Sequence, residues 1–211
     1  MIFAVPLGYI YYLTLREEAG QGPQLIGRMF ARGAVYGLLT ALFLLLVRRL
    51  WDPAHGVGLF WYLALHDFWL PTLLLTLLFM MSGAVREMPP SERRTGLVSC
   101  YAGAFTLIGV LDLFVRVEYQ GVYELFQLPA LRLAILVAVP LCYELFAEET
   151  FWTRYLYLAA MILAPLLPGL VGLLTASGYT VLALLVTPVV VVASYAAAIF
   201  VGGSRRSALF W

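Results

Sequence analysis

Seven apolar runs, separated by short polar connections, leave this 211-residue chain few ways to fold. They cover residues 1–15, 33–50, 57–84, 97–115, 130–147, 155–175 and 179–201. A helix needs about 20 apolar residues to cross the hydrocarbon core, because it rises about 1.5 Å per residue. A water-soluble chain would also need polar side chains to cover its surface. Here 63% of residues are hydrophobic and 12% charged, at a mean hydropathy of +0.92, against about 25% charged in an average soluble domain. Lipid tails solvate such a surface directly, provided that each backbone N–H and C=O is paired within its own segment. The expected fold is all-α, a single transmembrane helical bundle over residues 1–211 with seven spans. The first run is short, about 22 Å long at about 1.5 Å per residue. Six spans plus an interfacial N-terminal segment therefore stands as the alternative.

That first run, MIFAVPLGYIYYLTL, has no basic n-region ahead of it and no A-x-A before Arg16. It reads as a retained span or anchor rather than a cleaved leader, and a start further upstream is compatible with it. The third run carries His66, Asp67 and Pro71. A kinked, tilted helix fits it, with a broken or re-entrant helix as the alternative.

Orientation follows from arginine. With the SRRSALFW tail in the cytoplasm of a cell-membrane protein, that side receives Arg16, Arg28, Arg32, Arg86, Arg93, Arg94, Arg154, Arg205 and Arg206. The outer side receives Arg48, Arg49, Arg116 and Arg132, and the turn around Ser177 carries no charge. Net charge is only +1, which suggests no nucleic-acid partner. All 13 basic residues are Arg, and neither Lys nor Asn occurs. That excludes a lysine Schiff base, a Walker A loop and N-glycosylation. Cys100 and Cys142 sit in apolar runs without CxxC spacing, so both read as buried thiols rather than metal ligands. No cofactor or metal is expected.

Small residues recur at four-residue spacing in Gly33, Gly37 and Ala41, and again in Ser194, Ala198 and Gly202. Such ridges let helix backbones approach closely in lipid. Packing within the chain is the expectation, with contact to other membrane subunits or a second copy as the alternative.

Ionisable residues inside a bilayer are costly and face a partner or a wet cavity. In a regular helix Tyr62, His66 and Trp69 share a face, with Asp67 turned about 100° from His66. These are a candidate ligand- or proton-binding pair, against a structural histidine beside a separately paired aspartate. Asp112 and Arg116, four residues apart, can form an ion pair on one helix face. Glu144 and Glu148 have the same spacing, and two such carboxylates repel unless a proton or cation intervenes. Arg28 and Arg32 approach the same membrane side as countercharges. That placement predicts that the helices bearing Arg28 and Glu144 are neighbours.

Several family signatures are not met by these residues. The EExxxR pattern of CAAX-type proteases is missed by one residue at Arg154, and no histidine follows position 66. Pro23-Gln24 lacks the second copy of a PQ-loop transporter, and GxGD, HExxH and GxSxG are absent. Charged groups at several depths, and Pro71, Pro140, Pro165, Pro168 and Pro188 within the spans, point to transport. The expectation is a small-solute transporter or the membrane subunit of a translocating complex. An intramembrane enzyme using Glu144, Asp112 and His66, or a non-catalytic scaffold, are the alternatives.

Overall fold

The computed structural model describes residues 22–50, 57–83, 88–115, 121, 123–148 and 152–208. Residues 1–15, Arg116 and the side chains of Glu148, Ala198 and Gly202 lie outside this set. The described residues are helical apart from short turns, and none of them forms a strand. In chain order they form α1 (Gly22–Leu50), α2 (Val57–Tyr62), a π-helical turn (Leu63–Trp69), α3 (Leu70–Met81) and α4 (Pro90–Val115). A second π turn (Tyr123–Gln127), α5 (Leu128–Glu148), α6 (Trp152–Leu163), α7 (Leu166–Ala176) and α8 (Thr180–Ala208) follow.

Six stretches are long and apolar enough to span a membrane: Gln24–Val47, Gly58–Met81, Glu92–Asp112, Leu125–Phe146, Trp152–Ala176 and Thr180–Ala197. They correspond to six of the seven expected spans, and the remaining one falls on residues 1–15. The chain is a polytopic, all-helical membrane protein.

Apolar burial does little to join helices that already sit in oil, so close backbone approach and polar contacts must do it. α1 and α4 meet in this way. A Cβ on Gly37 would lie 2.7 Å from the Ala104 Cα, and Cβ atoms on Gly33 and Gly103 would collide with the carbonyls of Cys100 and Phe30. The Gly33–Gly37–Ala41 ridge is thus occupied inside the chain. α4 lies between α1 and α5, and its side chains Leu97, Tyr101, Ala104 and Ile108 form the centre of the bundle. The expected pairing of the Arg28 and Glu144 helices is corrected accordingly. Three glycines make α4, not α5, the better neighbour for α1.

The third run is one continuous span that changes register. Pro71 offers no N–H to the carbonyl a turn behind it, and its ring crowds that carbonyl. The ladder slips by one residue, so the Leu70 N–H reaches Leu65 O. The fifth span breaks instead. α6 ends at Leu163, Ala164–Pro165 turn, and α7 restarts at Leu166. α7 stops at Ser177–Gly178, where Gly178 takes φ +87° and the Tyr179 N–H bonds back to Leu174 O at 2.9 Å. Only glycine enters that left-handed conformation at low cost. α8 is the most exposed span, with Val181, Leu185, Val189 and Val192 on its outer face.

Candidate functional site

The two π turns and α7 converge near the Ser177 side of the bundle. Close approach there again depends on glycine. A Cβ on Gly169 would lie 2.6 Å from that of Ala64, and one on Gly172 would lie 2.9 Å from the Tyr123 hydroxyl. Asp67 sits nine residues into its span, about 14 Å deep by helical rise. It is fully buried, and His66 is 4% exposed.

His66 and Asp67 do not diverge as a regular helix would place them. The π register turns both inward, and His66 Nδ1 lies 2.9 Å from Asp67 Oδ1. His66 Nε2 lies 3.3 Å from the Leu44 carbonyl of α1. Tyr123 donates its hydroxyl to Asp67 Oδ2 at 3.1 Å. The Tyr62 ring stacks on the imidazole at 4.9 Å between centroids, tilted 12°. Of the expected face, Tyr62 and His66 do meet. Three elements far apart in sequence thus hold one buried pair.

Gln127, at the end of the second π turn, accepts a hydrogen bond from Thr175 of α7 at 2.7 Å. Deeper in the span, the hydroxyls of Thr76 and Tyr101 touch each other and both reach the Thr72 carbonyl, at 2.7 and 2.9 Å. Each hydroxyl owns one hydrogen, so one donates to the carbonyl and the other donates to its neighbour. Tyr101→Phe should cost only about 1 kcal/mol, since Thr76 keeps the carbonyl satisfied. A small fall in thermal unfolding temperature in detergent would register it, and a collapse of expression would mean that Tyr101 has a further role.

The other candidates separate into two ion pairs. Asp112 lies 2.9 Å from Arg132 of α5, whose guanidinium also sits 5.8 Å from the Phe105 ring. Arg132 is 4% exposed, so the pair is largely withdrawn from headgroups. At the opposite membrane side, Glu144 is held by Arg94 of α4 at 3.3 Å, rather than by the expected α1 arginines. On that side Arg28 is exposed and Arg32 half-buried along α1. Arg154 lies over the Phe146 ring at 4.3 Å. Asp112 and Glu144 lie near opposite ends of their spans, each beside an arginine of a neighbouring helix.

Sequence reasoning missed Tyr123, Arg94, Gln127 and Thr175. Pro71 five residues after His66 was the one local sign of a register shift. Tyr123 had no sign at all, because its partner is 56 residues away. Among the described residues, no three His, Cys, Asp or Glu side chains gather as a metal-ligand set. Comparison with protein-family models, with curated proteins and with solved structures finds no match for this chain.

Proposed function

We propose that this protein belongs to the transport class, as a small-solute carrier or as the membrane subunit of a larger translocating assembly. Its working centre is the His66–Asp67–Tyr123 cluster. The observation that carries this reading is where the cluster sits. A fully buried, ionisable pair lies about 14 Å into the membrane, at the meeting point of two π turns and a broken span. Burying such groups is expensive and is retained for function in membranes. Departures from α geometry free backbone groups, and they let neighbouring segments rearrange. An intramembrane enzyme needs its carboxylates within reach of one another, whereas Asp112 and Glu144 each have an arginine elsewhere. We place the Arg93 side in the cytoplasm, from the arginine bias.

Thr72 tests the reading. It lies one turn deeper than Asp67 and is 4% exposed, so only a water path through the bundle can reach it. In a background with Cys100→Ala and Cys142→Ala, Thr72→Cys should react with a membrane-impermeant thiol reagent. Ser177→Cys serves as the outer-side control. Labelling of Ser177→Cys alone, with Thr72→Cys sealed from both sides, would remove the transport reading and favour a scaffold. Reaction of Ser177→Cys from the cytoplasm would reverse the orientation.

A further inference from the structure

Two spans start on the membrane side of the Glu144–Arg94 pair. α4 begins there, with Arg93 and Arg94 in its opening turns. Gly33 meets Cys100 and Gly37 meets Ala104, so α1 runs alongside in the same direction and begins there too. That register sets Arg28 level with Thr95, just after Arg93 and Arg94. Parallel helices put their positive poles together. Four arginines therefore sit at the end of the bundle where two helix dipoles already favour an anion.

Among the described residues, carboxylates do not balance them. Arg94 holds Glu144 at 3.3 Å, whereas Arg28, Arg32 and Arg93 have no ion pair within that set. Glu92, in the first turn of α4, is the other described carboxylate on this side. Glu17, Glu18, Glu87 and Glu149 lie outside the described residues, as does the Glu148 side chain.

Below the two α1 arginines the helix face is apolar and open. Arg28 and Arg32 head a stripe that continues through Val35, Leu39, Leu42 and Leu46, since steps of three and four residues keep to one helix face. Each of those four apolar side chains is more than half exposed. Gly27 leaves room at the head of the stripe, where a Cβ would meet nothing within 4 Å. Counting from Gln24, the start of the span, Arg28 lies about 6 Å in and Arg32 about 12 Å in. A guanidinium at the second depth is costly in lipid unless an anion meets it.

We propose that this face of α1 binds one anionic glycerophospholipid. Arg28 and Arg32 hold its phosphate, and an acyl chain lies along Val35, Leu39 and Leu42. Each guanidinium fork offers paired N–H donors to phosphate oxygens. A zwitterionic headgroup carries its own cation into the same space and cancels the gain. A soluble phosphate lacks the chain, so the stripe selects the lipid. The site does not rest on the transport reading.

Native mass spectrometry of the full chain tests this, with dioleoyl phosphatidylglycerol or dioleoyl phosphatidylcholine added to the detergent. One phosphatidylglycerol should stay bound at energies that strip phosphatidylcholine, and it should raise the thermal unfolding temperature. Arg28→Gln with Arg32→Gln should weaken that binding about thirtyfold, as expected for two arginines near a membrane surface. Val35→Ala with Leu39→Ala should weaken it less, and these exposed positions leave the helix packing untouched. Glycerol phosphate, the anion without the chain, should not stabilise the protein. Arg154→Gln with Arg205→Gln removes the same charge and should leave the binding unchanged.

Equal losses from the two arginine pairs would reduce the effect to surface charge and overturn the site. Equal retention of the two lipids, or equal protection by glycerol phosphate, would overturn it as well. So would a fall in unfolding temperature for Arg28→Gln with Arg32→Gln that is the same with and without phosphatidylglycerol. The two arginines would then serve carboxylates of the chain itself. A dimer that disappears with the same pair would make the face an interface between copies instead.

Discussion

Asp112→Asn should destabilise the folded protein by about 3–5 kcal/mol, the largest loss expected from any single charge removal in this chain. The reason is an asymmetry between the partners. Arginine stays protonated under all ordinary conditions, and Arg132 is almost wholly buried. Without the carboxylate 2.9 Å away, its charge keeps, among the described residues, the Phe105 ring alone for company. Arg132→Gln should cost less, because the Asp112 carboxylate is partly exposed and Arg132 is not. Combining Asp112→Asn with Arg132→Met should recover much of the loss, since the buried charge of Arg132 is then gone as well. Thermal unfolding in detergent of the three variants checks this. Strictly additive losses would show that the two residues act through different partners.

Gly33→Ala is expected to be nearly as damaging, at about 3 kcal/mol or more, despite adding a single methyl. The new Cβ would be driven into the Cys100 carbonyl, which is backbone and has nowhere to turn. α1 must then lift away from α4 and lose the neighbouring approaches at Gly37 and Gly103. Loss of the monodisperse peak in size-exclusion chromatography would mark the effect. Gly27→Ala is the control, because a Cβ there meets nothing within 4 Å. Equal behaviour of the two variants would contradict the packing described here.

Six spans were legible in the chain because hydropathy is a local sum, read from each window alone. The Gly33–Gly37–Ala41 ridge was legible for the same reason, since four-residue spacing marks one face of one helix. Partnerships were not. In the sequence Asp112 had Arg116, four residues on, as its obvious mate, and the structure brings Arg132 to it from α5. Glu144 was assigned to α1 because the arginine bias places residues on a side of the membrane, not beside a particular helix. The order of helices around the bundle depends on three-dimensional fit, and Gly103 meeting Phe30 has no signature in either segment. His66 and Asp67 illustrate a subtler failure. Both were singled out, but regular α geometry set them apart, and the register slip that joins them is decided by Pro71 together with the packing of Ala64 on Gly169.

The broken fifth span divides one crossing into two unequal halves. α7 buries Pro168, Gly169, Val171, Gly172 and Thr175 against the polar cluster, whereas no residue of α6 is fully buried. Between them, Ala164–Pro165 interrupts the rod along which force would otherwise pass. A bilayer that thins or thickens acts on whatever it grips, and here it grips α6 far more than α7. Tilt of α6 about that joint would leave α7, and with it the ångström-scale distances around Asp67, in place.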